Sequence, residues 1–208
     1  MMPIIQLHWL CEQPTPYNDY LFRSIAAELE VDFTVHFVQP FLASHPWKEL
    51  FGTGFQSRTF HRSLGIDWHV IRQAMASKDV FFVVGGWHIS TQWLLMELLA
   101  ANNKPFAIWT DMPNVTRKRS PVKAQLRSRY LARLFRQANY VMGTGTAALD
   151  ILVDMDCPVD KLVNFPYFVD IEPSVPGYTH LFDSGSSTCL KLVSVGRFVN
   201  SLKAHDQA

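Results

Sequence analysis

Residues 78–114, KDVFFVVGGWHISTQWLLMELLAANNKPFAIWTDMPN, decide the fold. Asp79 to Val84 is a short run rich in Val and Phe with almost no polar interruption. That suits a strand covered on both faces, the condition of a parallel sheet sheathed in helices. Gly85-Gly86 ends the run and delivers Trp87 and His88 to the loop beyond the strand's carboxyl end; glycines there permit approaches that a Cβ would obstruct. Ser90 or Thr91 offers a cap for a helix whose Trp93, Leu94, Leu95, Met96, Leu98 and Leu99 leave little polar face, so it is expected to be largely buried. Asn102-Asn103 closes that helix, Lys104-Pro105 turns the chain, and Phe106 to Thr110 makes the next strand, finishing in Asp111-Met112-Pro113. The unit is β-α-β. Ligands of open parallel sheets bind outside the carboxyl ends of the strands, which makes Gly86, Trp87, His88, Thr110 and Asp111 the first candidates for chemistry. For each of them a packing or capping role is the plainer alternative.

Toward the N-terminus, Ile4 to Leu10 reads as a first strand, followed by the loop CEQPTPYND. Asn18 or Asp19 can cap a helix running to Glu30, with Phe22, Ile25, Ala26 and Leu29 on one face, and Asp32 to Val38 makes a second strand. The first loop also leaves a strand's carboxyl end. Thr15, Tyr17 and Asn18 are therefore possible ligand contacts, beside the simpler reading of a Pro-rich turn. Residues 39–62 are aromatic and irregular, as a functional or mobile connection would be, and Ile66 to Ala76 makes a short helix.

Beyond Asp111 lies TRKRSPVKAQLRSRYLARLFRQA, with Ser120 as a cap and Pro121 at the first helical position. Val122, Leu126, Tyr130 and Leu134 form an apolar stripe with Leu131 and Phe135 beside it, and Lys123, Arg127, Arg129, Arg133 and Arg136 occupy the rest. An amphipathic helix with these cations and no acids would be drawn to an anionic membrane surface or a phosphate-bearing partner. A helix packed on the sheet with a solvated basic face explains the pattern equally. No nucleic-acid recognition motif accompanies the patch. Asn139 to Gly143 is a further strand, ending in Gly143-Thr144-Gly145-Thr146 before a helix over Ala147 to Met155, where an anion could be held. Val159 to Asn164 returns to the sheet. Residues 171–189 have linker composition, and Leu190 to Val195 is a fresh apolar strand followed by Gly196-Arg197 and Lys203. The expected organisation is an N-terminal domain over residues 1–170, a linker over 171–189, and the opening of a second, truncated domain over 190–208, since one strand cannot form a core.

The whole chain of 208 residues is 48% hydrophobic, enough for a proper core. Its formal net charge of +1 hides a segregated distribution. Residues 104–149 carry 9 basic groups and 1 acidic group, against 6 and 9 in residues 1–103 and 4 and 8 in residues 150–208. Cys11, Cys157 and Cys189 are far apart and without a C-x-x-C spacing, which suggests neither a disulfide framework nor a zinc site and fits a reducing compartment. PIIQLHWLCEQP has no basic leader, and no apolar stretch is long enough to span a bilayer. The expected location is cytoplasmic, with a possible peripheral position on the inner face of the membrane.

The series ANYVMGTGTAALDIL, then CPVDKLVNFPYFVDIEP, a linker, and LKLVSVGRFVNSLKAHDQA resembles the middle of glycosyltransferase family 4 and its relatives with the GT-B fold. The specific part of the resemblance runs from about Ala138 to Ala208; the order of elements extends it over the chain. The resemblance implies two Rossmann-like domains with the active site between them, and a transferase, usually retaining, that moves a sugar from a nucleotide-sugar co-substrate to an acceptor, here a glycan or lipid-linked cell-envelope acceptor. It implies an acceptor site in the N-terminal domain and a donor site in the C-terminal one. Arg197 and Lys203 match the basic pair that contacts the donor diphosphate, whose developing charge such cations stabilise, so neither cofactor nor metal is expected. This chain also departs from the family. Tyr167-Phe168 stands where an Asn-Gly is usual, Asp111 where many members have a His, and Pro14-Thr15-Pro16 where many have a Gly-rich first loop. The Glu-x7-Glu motif that binds donor sugar would lie beyond Ala208, so the chain by itself is expected to be inactive or nearly so.

Within this frame His88 and Asp111 are the candidate catalytic pair, a base and its orienting carboxylate for an acceptor hydroxyl. Tyr17, Asn18, Gly86 and Trp87 are candidate acceptor contacts. Trp87, Trp93 and Trp109 suggest an aromatic wall for a sugar ring, with Trp93 assigned to the core. The rival reading is a non-enzymatic Rossmann-like module that docks on anionic membrane or a protein partner. No G-x-G-x-x-G follows the first strand, against a dinucleotide oxidoreductase, and Ser90 and Ser194 sit in no nucleophile elbow.

Overall fold

In a computed structural model the protein is described over residues 5–28, 30–38, 54–59, 65–77, 79–113 and 120–167. Seven strands form one sheet: β1 (Ile5–Cys11), β2 (Val31–Phe37), β3 (Gln56–Thr59), β4 (Val80–Gly85), β5 (Phe106–Thr110), β6 (Tyr140–Gly143) and β7 (Leu162–Asn164). Five helices accompany them: α1 (Pro16–Ala26), α2 (Trp68–Ala76), α3 (Ser90–Ala101), α4 (Pro121–Gln137) and α5 (Thr146–Asp154). The sheet order is β3-β2-β1-β4-β5-β6-β7, and every neighbouring pair is parallel. This is a Rossmann-like α/β fold with helices on both faces, as the apolar runs of β4 and β5 predict.

Strand alternation sorts the core into two layers. Leu10, Phe82, Val84, Phe106, Ile108 and Val141 pack with the inward residues of α2, α3, α4 and α5. Trp9, Phe33, Val35, Phe37, Val83, Ala107 and Trp109 pack on the opposite face, where α1 contributes Leu21 and Phe22. The strand sequence grows outward from β1 through β2 to β3, then returns to the other flank of β1 with β4. The reversal leaves a crevice at the carboxyl ends of β1 and β4, the usual ligand position in a doubly wound sheet. Gly85 is required at this seam, because a Cβ there would lie 2.9 Å from the Leu10 carbonyl oxygen.

Several local expectations are corrected. Helix α1 starts with Thr15 at the N-cap and Pro16 at its first position, ahead of Asn18 and Asp19, because proline's fixed φ suits that position and its missing N–H needs no partner there. Asp67 caps α2, accepting from the backbone N–H groups of His69 at 3.0 Å and Val70 at 3.2 Å, so the helix starts after it and not at Ile66. Within the stretch taken as irregular, Gln56–Thr59 is an edge strand whose four residues are all exposed and carry no apolar alternation to announce them. Residues 159–161 form a 3-10 turn before β7. Helix α3 buries Leu95, Met96 and Leu99, but Trp93 is 46% exposed rather than core. Among the described residues no helix is long and apolar enough to cross a membrane.

Candidate functional site

Beyond the β1–β4 seam lies a cavity of about 420 Å³. Glu12, Gln13, Thr15 and Asn18 form its wall on the β1–α1 side, and the turn after β4 forms its floor with Gly86, Trp87 and His88. Asp111, Met112 and Pro113 face them from the loop after β5, with Arg127 and Tyr167 closing the outline. The loops predicted to carry chemistry are thus brought together at the place the topology selects.

The floor is held from beneath by Gln92, which is fully buried in the first turn of α3. Its Oε1 accepts from the backbone N–H groups of both His88 and Ile89, each at 3.1 Å, and its Nε2 donates to the Gly85 carbonyl. One side chain therefore satisfies both ends of the turn; the N-cap position is Ile89, so neither Ser90 nor Thr91 caps α3 as expected. Thr91 has another task, accepting from the Asp67 N–H at 3.0 Å and so tying α3 to α2. Gly86 occupies φ +87°, and its N–H donates to the Trp109 carbonyl at 2.7 Å, binding the turn to β5. A Cβ on Gly86 would stand 3.1 Å from the His88 ring.

His88 projects from this turn with its Nε2 3.0 Å from Glu12 Oε2. The hydrogen bond to Glu12 raises the histidine's pKa above its ordinary value, partial burial opposes the shift, and the charge of Glu12 adds to it. With Nε2–H donated to the carboxylate, Nδ1 carries the lone pair, the arrangement of an oriented general base. The orienting carboxylate is Glu12, not Asp111. Asp111 Oδ1 instead accepts from the Thr144 hydroxyl at 2.8 Å and from the Met112 N–H at 2.8 Å, so the acid lies on the opposite wall with its own partners. Tyr167 lies close by: burial, then the charge of Asp111, pushes its phenol up to about 12. Thr144 bonds Asp111, and the Gly145 N–H donates to Asn164 Oδ1 at 3.1 Å, so two donors of the proposed anion turn are already engaged.

Asn18 reaches the cavity almost wholly buried, and its Oδ1 has no hydrogen-bond partner among the described residues. It suits a ligand donor. Tyr17 lies in α1, and its side chain is outside the described residues. Trp87 borders the cavity but packs into the core against Phe135, ring centroids 5.7 Å apart. Trp109 is likewise buried, edge-on to Trp9 at 5.1 Å. The expected aromatic wall is therefore largely core, since Trp109 lies within β5 and Trp87 just beyond β4, where the faces of the sheet are covered.

The basic helix divides along its length. Leu131, Leu134 and Phe135 are buried, whereas Val122 and Leu126 of the same predicted stripe are 67% and 63% exposed. Lys123, Arg129 and Arg136 are exposed, Arg133 pairs with Glu97 on α3, and Arg127 turns into the cavity wall. Of the five cations, three are thus exposed, one is paired with α3 and one lines the cavity. Arg197 and Lys203 lie outside the described residues, as do the proposed linker and second domain. Among the described residues no group of three or more His, Cys, Asp or Glu side chains is placed to hold a metal ion. Cys11 and Cys157 are buried free thiols. Glu12 and Gln92 are the residues of the candidate site that the sequence does not point to: one stands in a loop with no motif around it, the other looks like a polar residue of a helix. No protein-family model matches this chain, and no curated protein matches it either.

Proposed function

We propose that this chain carries the acceptor side of a nucleotide-sugar-dependent glycosyltransferase, with His88 as the base and Glu12 as its orienting carboxylate. The observation that carries this reading is the 3.0 Å Glu12–His88 pair at the switch point of the doubly wound sheet. It joins the resemblance of residues 138–208 to glycosyltransferase family 4. In the proposed step, a single displacement that inverts the anomeric carbon in place of the retention usual in that family, an acceptor hydroxyl gives its proton to His88 Nδ1 as its oxygen bonds to the donor sugar's anomeric carbon. The bond from that carbon to the donor diphosphate breaks, and the diphosphate leaves with the electron pair. Arg197 and Lys203 are the proposed cations for that leaving group. Asn18 accepts from another acceptor hydroxyl, and Arg127 adds positive charge to the wall.

The test is turnover of UDP-, GDP- and ADP-sugars by the complete reading frame containing this chain, with and without membrane extract. Turnover is expected for one donor class, with His88→Ala lowering transfer by about 10²- to 10⁴-fold. No turnover of any donor refutes the reading. A second reading draws on the exposed Val122 and Leu126 beside Lys123 and Arg129: a non-enzymatic module docking on an anionic membrane. Binding to phosphatidylserine vesicles that is lost in Leu126→Asp, together with no sugar turnover, would favour it. Binding together with turnover would describe a peripheral membrane enzyme.

A further inference from the structure

Trp93 is 46% exposed, yet its ring is held by two partners, one of them braced in turn. Its indole N–H donates to the Trp87 carbonyl, one face stacks on Tyr130 with centroids 4.9 Å apart and planes inclined by 28°, and Arg133 lies over Tyr130 at 5.5 Å from the ring centroid. Arg133 is anchored in turn by Glu97. An exposed tryptophan with no structural duty would be expected to forgo such bracing. Here an aromatic plate is held rigid at the surface, a low-entropy arrangement suited to binding.

The plate borders a second cavity of about 530 Å³, within the roughly 300–1,000 Å³ of small-molecule sites. Its floor is aromatic and aliphatic, from Trp93, Tyr130 and Leu94, and its rim holds His88, Ser90 and Glu97. His88 lines this cavity and the catalytic one alike, so a single ligand can occupy both.

We infer that this second cavity is a carbohydrate subsite, in which one ring of a glycan acceptor lies on Trp93 while the adjoining ring presents its hydroxyl to His88. A pyranose has a C–H-bearing face, weakly positive, that complements the negative face of an indole, and an equatorial belt of hydroxyls that needs acceptors at the rim. Glu97 and Ser90 supply them. An alkyl chain fits less well, because it would strip water from Glu97 and His88 without replacing their hydrogen bonds. The inference rests on the transfer reading for naming the ligand an acceptor; the binding of a sugar ring on Trp93 can be measured without it.

The experiment titrates the ¹⁵N-labelled 208-residue chain with monosaccharides and linear trisaccharides of glucose, galactose, mannose and N-acetylglucosamine, and separately with octanoate. In wild type the Trp93 indole resonance, assigned from its loss in Trp93→Phe, is followed, and affinities of the variants, which lack that resonance, are read from the backbone amide shifts of His88 and Ser90. At least one trisaccharide is expected to shift it and to bind about tenfold more tightly than its monosaccharide, an advantage lost in Trp93→Ala and largely kept in Trp93→Phe. A resonance unmoved by every sugar overturns the proposal, as does a shift caused by octanoate alone or a trisaccharide affinity indifferent to Trp93→Ala. Trp93-dependent binding without turnover of any donor supports the subsite and sinks the transferase reading. Turnover without such binding does the reverse.

Discussion

Replacing Gln92 tests whether the candidate site depends on a residue that no ligand would touch. In Gln92→Leu the side-chain volume is nearly kept, but three hydrogen bonds vanish: two accepted from the His88 and Ile89 N–H groups and one donated to the Gly85 carbonyl. A net hydrogen bond contributes about 0.5–1.5 kcal/mol, and each buried group left unpaired costs about 1–3 kcal/mol. All three groups are only partly buried and recover some solvation. A loss of about 2–4 kcal/mol in unfolding free energy follows, a large share of the 5–15 kcal/mol typical of a domain. Urea unfolding at fixed pH measures it. The loosened turn should also release His88 from Glu12, so that its pKa falls toward the ordinary histidine value in a ¹H–¹³C titration of the ring. Gln92→Glu is the sharper control, because it keeps the acceptor and loses the donor to Gly85. It should unfold more easily than wild type yet hold the His88 N–H. Stability within about 0.5 kcal/mol of wild type in Gln92→Leu, with an unchanged His88 titration, would refute the reasoning, since surface substitutions fall in that range.

Glu12→Gln removes the carboxylate that raises the His88 pKa, so the ring titration and the acid limb of any transfer activity should both move to lower pH. Gly86→Ala adds a Cβ at φ +87° and 3.1 Å from the His88 ring, and should cost about 1–2 kcal/mol by urea unfolding while displacing the ring from Glu12. His8 and His36 form a histidine pair, buried and stacked, with Nδ1 of His8 2.8 Å from Nε2 of His36. Burial, then His8, Arg58 and His69, lowers the His36 pKa to about 3, and burial, partly offset by Asp32, lowers that of His8. Below the unfolded value of 6.5 the unfolded chain binds protons that the folded chain refuses, so stability present above pH 6.5 is lost as pH falls toward 3. From His36 alone the loss between pH 7 and pH 5 is about 2 kcal/mol, measurable as a falling urea midpoint that flattens in His36→Leu.

How far the sequence discloses this molecule depends on how local each signal is. The apolar runs of β4 and β5 and the Gly85-Gly86 stop are contiguous, and they place the crevice correctly along with His88 and Asp111. Glu12 and His88 are 76 residues apart, and only the parallel pairing of β1 with β4 brings them within a hydrogen bond. Gln92 was hidden for another reason: a polar residue in a helix normally faces water, and nothing nearby announces three backbone partners. Trp93 was misassigned because α3 is apolar nearly all round, so periodicity cannot say which residue the sheet leaves outside. Strand β3 fails in the opposite sense, as Gln56–Thr59 pairs through its backbone alone.

The positions of His88 and Asp111 show how the site divides its work. Had Asp111 oriented the histidine, both groups would belong to one wall, and the ligand would approach from a single side. Instead Glu12 orients His88 from the β1 side, while Thr144 and the Met112 N–H hold Asp111 across the cavity. Two carboxylates thus flank the space, one spent on a histidine and one anchored by neutral donors. A ligand between the walls meets the His88 ring on one side and the Asp111 carboxylate on the other. An acceptor presenting several hydroxyls satisfies both, because each hydroxyl can donate; a phosphate placed beside Asp111 would satisfy neither that acid nor the Asn18 oxygen. On the proposed reading, Asp111 and the Asn18 oxygen take up hydroxyls of the acceptor, and Arg127 in the same lining is a cation that an anionic group would meet.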